Sequence, residues 1–442
     1  MTDAEGHEPK TWGQRLLAPI ADVRRHEVTS VLLMTLLMFM ILGAYYMLKT
    51  AREVFILSEG GAEVKSYSSA GQAMLLLFLV PAYGAFASRV NRVQLVQWVT
   101  MFFVSHVVLF LLALSAGLHI GIAYFLWVGI FNLMVIAQFW AFANDLYTPE
   151  QGKRLFPLIG VGASLGAWVG SVRAGQLMAI GPRRLMVGAA VALVACALLA
   201  RVVNRVTQRD ATTKAKPGDD KPLGKGNGFA MIFADRYLML IALLAVLLNV
   251  VNTTGEYLFG RYVVETALLT HPTDTAAREQ FIGAAYSRLF STVNLAGFLL
   301  QMFVVSRVFK FLGVGKSLFI HPIVALVGYS MMLRAPSITT MGWLKVVDNS
   351  IDYSLGNTTK QALWLPTSRE AKYKAKQAVD SFFVRMGDVL QAGLVFVGEK
   401  LAFAVPAFAA ISIALTVAWL GVVALLNVQL RVKAETTGAA KL

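Results

Sequence analysis

Ionisable and amide side chains inside long apolar stretches are the residues here whose types and spacing could do chemistry. The first apolar run ends in Tyr45-Tyr46-Met47-Leu48-Lys49-Thr50-Ala51-Arg52-Glu53. Lys49 and Glu53 are four apart and can pair on one helical face, with Arg52 three residues from Lys49. Two cations so close point to an anion, and side chains reaching for the interface from a helix end are the structural alternative. A later run carries Asn249, Asn252, Thr253, Thr254, Gly255 and Glu256, then Arg261 and Glu265. Asn249, Asn252 and Glu256 share one helical face, and Gly255 offers a point at which the helix could bend. Lys345, Asp348 and Asp352 fall at i, i+3 and i+7, so they form one stripe, with Asn357 and Lys360 beyond. Asp380, Arg385 and Asp388 follow, the last two spaced to pair, and Arg288 lies between Tyr286 and Asn294. An ionisable group in hydrocarbon is costly, so each is either a contact for a polar solute or half of an ion pair that locks helices together. Candidate solute contacts are therefore Lys49, Arg52, Asn252, Glu256, Arg288, Asp348, Asp352, Lys360 and Arg385.

Catalytic chemistry finds little support. No nucleophile is matched to a base, and the six histidines and one cysteine, Cys196, lack metal-ligand spacing. In the glycine-rich stretch from Gly224 to Gly228, Gly226 follows Lys225 where a phosphate-binding loop needs Ser or Thr. No enzyme, cofactor or metal is expected.

The elements that position these groups are membrane spans. Hydrophobic residues make up 57% of the 442 and charged residues 15%, too little charge to cover a soluble protein of this size. A span needs about 20 mostly apolar residues. Twelve such runs are expected, near 28–50, 67–88, 93–115, 119–143, 155–180, 183–203, 234–264, 281–306, 313–333, 338–362, 376–399 and 402–428. The N-terminal segment lacks the apolar core and cleavage site of a signal peptide. With that segment in the cytoplasm, the basic loops alternate correctly: Arg24 and Arg25, Arg89 and Arg92, Lys153 and Arg154, Arg307 and Lys310, and Arg369 through Lys376 all fall on one side. The net charge of +15 thus reads as topology in a bacterial inner membrane, with both termini cytoplasmic, and as attraction to acidic lipid rather than to nucleic acid.

The chain divides into a cytoplasmic segment 1–27, a six-helix half 28–203, a polar linker 204–230, a second six-helix half 231–430 and a tail 431–442. Ser88-Arg89-Val90-Asn91-Arg92 recurs as Ser306-Arg307-Val308-Phe309-Lys310. Pro149-Glu150 with Lys153-Arg154 has a looser counterpart from Pro366 to Lys374. Both matches lie at an offset of roughly 218 residues, as a parallel repeat of six helices gives. The glycines Gly160, Gly162, Gly166 and Gly170 read as close helix packing, and Arg173 nearby is a further polar intrusion.

The loop Gly84 to Arg92 resembles the signature of the major facilitator superfamily, with Ser88 in its Asp position and Asn91 in its second Gly position. In that all-α fold of twelve transmembrane helices in two six-helix pseudo-repeats, spans 1, 4, 7 and 10 line the cavity. Spans 1, 7 and 10 carry the heaviest polar load here. Three stretches in order are similar to the nucleotide transporter (ATP/ADP translocase) family: Tyr45 to Glu53 with Gly60 to Glu63; Phe139 to Asn144 with Lys153 to Gly162; and Asp352 to Lys360 with Pro366 to Asp380. The resemblance implies exchange of nucleotides or related phosphorylated anions by alternating access, with Arg52 and Lys360 as the basic residues of transport. An apolar residue near Val128, and Asn252, stand where the family has glutamates. Two alternatives stay open: a proton-coupled facilitator with Glu256 or Asp348 as carrier, and a non-transporting membrane scaffold or receptor.

Overall fold

A computed structural model describes residues 23–87, 92–210, 228–334, 337–368 and 370–436. The segment before residue 23, the signature residues Ser88 to Asn91, most of the linker, Arg369 and the last six residues lie outside the described part. Every regular element among the described residues is helical. In chain order these are a 3₁₀ turn Arg25–Glu27, then α1 Val28–Ala87, α2 Arg92–Ser115, α3 Gly121–Leu146, α4 Pro149–Met178, α5 Pro182–Asp210, α6 Gly228–Ala234, α7 Arg236–Thr270, α8 Thr275–Phe303, α9 Val305–Ser317, α10 Ile320–Arg334, α11 Ile338–Ile351, α12 Asn357–Ala362, α13 Lys376–Ala378, α14 Val384–Lys400 and α15 Val405–Thr436. π-helical turns at Asp352–Gly356 and Val379–Phe383 interrupt the stretches read as spans ten and eleven, and a third, Ala371–Ala375, lies between them.

Eight of these helices are long and apolar enough to cross a membrane, or nine if α8 and α9, which meet at 74°, form one bent span. Large apolar side chains such as Phe78, Phe311 and Leu269 point outward, 76%, 77% and 83% exposed, which suits lipid and not water. The protein is a multi-pass membrane protein.

The runs read as spans one and two are one 60-residue helix with a single break at Gly61. Its φ of 76° is a conformation that a Cβ disfavours, and glycine adopts it without that penalty. The helical turn therefore continues well past residue 50. Lys49 lies about 18 Å of helix short of the break and about 32 Å from Val28, so it is not at a helix end.

Short polar signals set other helix starts. Thr148 and Gln151 form a capping box ahead of α4, with Pro149 at its first position. Asp235, Asp274 and Ser337 accept backbone N–H groups at the starts of α7, α8 and α11. Glu59 accepts the N–H groups of Ile120 and Gly121 at the start of α3, at 3.2 and 2.7 Å.

Three of the four glycines expected to pack, Gly162, Gly166 and Gly170, do so against α1, whereas Gly160 faces open space. A Cβ on Gly162 would lie 2.6 Å from the Thr35 carbonyl of α1, and one on Gly170 would lie 2.6 Å from Gly43 Cα. Between them Gly166 meets the backbone of Phe39. Arg173 turns outward and donates to Gln176 Oε1 at 2.8 Å.

At the end of the bundle that holds the N-terminus, two ion pairs tie elements together. The Arg154 guanidinium grips both oxygens of Glu27 at 2.9 and 3.1 Å. Lys433 donates to Asp235 at 2.6 Å. Burial pushes both carboxyls up, but the hydrogen bonds from these cations and from backbone N–H groups outweigh it, and both titrate below their ordinary range.

Candidate functional site

Glu53 faces inward from α1 and its side chain is fully buried. Its carboxylate is shared by two cations. Arg52 donates from Nε at 3.1 Å and from a second guanidinium nitrogen, and Lys65 approaches at 2.7 Å. Lys65 stands four residues beyond the break at Gly61, and the break is what folds it back toward Glu53. In sequence Lys65 falls in the loop expected between the spans 28–50 and 67–88. The expected Lys49–Glu53 pair does not form, since Lys65 and Arg52 already fill both carboxylate oxygens.

From Lys65 the network crosses to the C-terminal half of the chain. Its ammonium lies 3.7 Å from Glu256 Oε2 and donates to the Tyr286 hydroxyl at 3.3 Å. Glu256 Oε1 lies 3.4 Å from Lys345 and accepts from Asn349 at 3.0 Å. Lys345 is fully buried. It donates to Asn252 Oδ1 at 2.5 Å, to the Asn252 carbonyl at 3.2 Å and to Asp348 at 3.1 Å. His321 reaches the other Asp348 oxygen at 2.9 Å. Arg52, Asn252, Glu256 and Asp348 thus meet in one chain of charges that spans both halves. Lys345 was legible as part of the stripe with Asp348. Lys65, His321 and Asn349 come from sequence positions that carried no such signal.

Gly255 serves close approach rather than bending. α7 runs unbroken through it, and a Cβ there would lie 2.6 Å from the Tyr329 hydroxyl and 3.1 Å from Lys345 Cδ. The missing side chain is what lets Lys345 lie against α7.

Two further pairs form apart from this chain, one expected from spacing and one not. Lys360 donates to Asp352 at 2.9 Å across the π-helical turn, so Asp352 leaves the stripe it was expected to share with Lys345 and Asp348. Arg385 pairs with Asp388 at 3.2 Å, as its spacing implied, and Asn249 donates to the other oxygen of Asp388 at 2.8 Å. Arg288 is not brought to the network. It is exposed and lies on the face of α8 opposite Tyr286 and Phe290, because two residues turn a helix by about 200°.

Apart from the exposed Arg288, Lys49 differs from every other candidate cation. Among the described residues it has no carboxylate within 4 Å. Its ammonium lies instead 4.2, 5.2 and 6.0 Å from the ring centres of Phe290, Tyr46 and Tyr45. Arg52 likewise stacks on Phe125, with 4.5 Å to the ring centre. Tyr45 stacks on Phe131 and Tyr46 meets Phe290 edge-on. The result is a half-buried ammonium framed by aromatic rings, beside a guanidinium whose only carboxylate is shared. Five other cations, Arg52, Lys65, Lys345, Lys360 and Arg385, are matched by five carboxylates, Glu53, Glu256, Asp348, Asp352 and Asp388. Lys49 is the surplus charge.

Among the described residues, hydrogen bonds between the helices before residue 210 and those after 228 gather at the C-terminal end of α4 and just past the break in α1. Ser287 donates to the Ser171 carbonyl at 2.7 Å, Asn294 to Ser171 Oγ at 3.2 Å, Gln391 to Ser66 at 3.3 Å and Gln280 to the Ala179 carbonyl at 3.4 Å.

The family model described as "TLC ATP/ADP transporter" matches residues 7–119, 122–328 and 300–430. The chain belongs to this family. Family membership places it among transporters rather than enzymes. Among its relatives, ADP,ATP carrier protein 1 of Chlamydia muridarum is 25% identical over 335 residues, covering 65% of this chain and 61% of that protein. The match thus spans about six-tenths of the chlamydial relative. ADP,ATP carrier protein 1 of Rickettsia bellii is 23% identical over 485 residues, covering 94% and 96% of the two chains. Solved transporters share the fold. A peptide transporter in complex with sulfate superimposes with a TM-score of 0.63 at 13% identity, covering 97% of this chain and 99% of that one. A bacterial homologue of the iron transporter ferroportin, in an inward-facing state, gives 0.61 at 12% identity over 90% and 99%.

Proposed function

We propose that this family member exchanges nucleotides, or closely related phosphorylated anions, across a bacterial inner membrane by alternating access. The observation that carries the reading is Lys49, a cation without a carboxylate partner among the described residues, bounded by Tyr45, Tyr46 and Phe290. An ammonium attracts phosphate, so Lys49 offers an anchor for the anionic end of a nucleotide, while the buried rings of Tyr45, Tyr46 and Phe290 hold the ammonium in place. The names of the chlamydial and rickettsial relatives favour ATP and ADP as the substrates to test first.

In this reading the empty carrier keeps its other cations neutralised. An arriving phosphate adds to Lys49 and competes with Glu53 for Arg52 and with Asp352 for Lys360. Each released carboxylate then weakens a contact that holds one state together. Glu256, Asp348 and Asn252 act in the bridge between halves, and Arg385 orders α14 against α7 through Asp388 and Asn249. Every carboxylate of the network is already engaged by a cation, which argues against Glu256 or Asp348 as a free proton carrier.

Twelve spans in two halves, 28–203 and 231–430, fit this mechanism. The count takes α1 as two spans broken at Gly61, adds α10, and treats α11 with α12 as one. With the N-terminus cytoplasmic, the inter-half contacts lie on the outer side, so the arrangement corresponds to a state open to the cytoplasm.

The test is counter-exchange in proteoliposomes. Vesicles loaded with ADP should take up labelled ATP, and empty vesicles should not. A charge-assisted hydrogen bond contributes about 1.5–3 kcal/mol, so Lys49→Gln should weaken apparent affinity roughly 10- to 100-fold. Uptake that ignores internal nucleotide, or a Lys49→Gln protein that exchanges like wild type, would overturn the proposal.

A further inference from the structure

The outward face of α8 carries a feature that the transport site does not use. Arg288 lines a groove of about 490 Å³ between α8 and α11, walled by Phe281, Leu289, Thr292, Trp343 and Val346. Trp343 is 63% exposed, so the groove opens on the outer surface of the bundle. On α11 these wall residues lie on the side away from Lys345 and Asp348, which face the ion network. Among the described residues the Arg288 guanidinium has no ion pair and no hydrogen bond; only its backbone carbonyl is used, by Ser291 and Thr292.

A lone guanidinium on a membrane-facing surface cannot stay unsatisfied without a large desolvation penalty. Its partner must then come from the surroundings. In a bilayer the available anion is the phosphate of a lipid headgroup, which a guanidinium binds in a two-pronged fashion. The rest of the groove is lined mainly by apolar side chains of α7, α8 and α11, which suits an acyl chain. We propose that this groove is a binding site for one anionic phospholipid. Arg288 holds the headgroup phosphate, and an acyl chain packs against Leu289, Trp343 and Val346.

The whole protein, purified in mild detergent and titrated with phosphatidylglycerol, tests this by native mass spectrometry. Wild type should retain one phosphatidylglycerol in preference to phosphatidylcholine, and Arg288→Gln should lose at least tenfold in apparent affinity. A second measurement does not depend on the Arg288 variant folding. Phosphatidylglycerol with brominated acyl chains should quench tryptophan emission in wild type, and the quenched fraction should fall in Trp343→Phe. Equal retention by wild type and Arg288→Gln would overturn the proposal. So would unchanged quenching in Trp343→Phe, or displacement of the lipid by inorganic phosphate alone at millimolar concentration, which would mark a soluble-anion site.

Discussion

Replacing Lys65 with methionine tests the bridge between the halves most directly. The substitution keeps much of the side-chain volume and removes the charge that touches Glu53 at 2.7 Å and Glu256 at 3.7 Å. Attraction falls as the inverse of distance, so the Glu53 contact is stronger by a factor of about 1.4. Glu53 is also fully buried, whereas Glu256 is about a quarter exposed. Most of the penalty should therefore arise at Glu53. Breaking a buried pair by removing one partner costs about 3–5 kcal/mol, because the other charge is left uncompensated. Arg52 still neutralises part of Glu53, which puts the expectation near the lower limit, about 3 kcal/mol. Removing both charges behaves differently, since replacing a buried pair with uncharged groups is close to neutral. Glu53→Gln also strips Arg52 of its carboxylate, so Lys65→Met with Glu53→Gln should recover only part of what Lys65→Met loses. The assay is a double-mutant cycle on thermal unfolding in detergent. Alongside it, the labelling rate of a cysteine placed at Ser171 reports whether the contact layer has opened. An interaction energy under about 1 kcal/mol in the cycle would refute the reasoning, because the two side chains would then be acting independently.

Other perturbations follow from the same geometry. Gly166→Leu drives a side chain into the Phe39 backbone, where α1 and α4 touch, and should cost several kcal/mol or prevent folding, with Gly160→Ala, which meets open space, as the unaffected control. Gly61→Ala places a Cβ at a φ of 76° and should destabilise by about 1 kcal/mol, read as a lower unfolding temperature. Glu27 titrates below its ordinary value of 4.5, so its contribution is complete above that pH and is lost as pH falls through the lower folded value. The stability difference between wild type and Glu27→Gln should accordingly be flat from pH 7 to about 5 and shrink below that. A gap that instead grows with acidity would show that Arg154 is not holding Glu27 as a carboxylate.

Much of the architecture is legible in one dimension because the bilayer imposes a length and a polarity on each segment. Apolar runs, helix-start residues such as Thr148 and Asp235, and the glycines of α4 report local or two-helix requirements that neighbours in sequence already express. The Arg385–Asp388 pair was readable for the same reason, since three residues along a helix fix its geometry. The family resemblance in Tyr45 to Glu53 and in Asp352 to Asp380 pointed to an anion exchanger, and the match to the family model agrees.

Partner choice among charges was not legible. Lys49 and Glu53 satisfy the helical spacing rule, yet Glu53 takes Lys65, which only a reversal at Gly61 can deliver. Asp352 leaves its stripe because a π-helical turn changes the angular register that a regular helix would keep. Arg288 is two residues from Tyr286 and faces the opposite way, toward the outer surface. Composition and spacing by themselves determined that this chain crosses a membrane many times and holds ionisable groups inside it. Which of those groups meet, and that Lys49 is left without a carboxylate, was decided by tertiary structure, because a charge in a medium of low dielectric takes the partner that packing brings within a few ångströms.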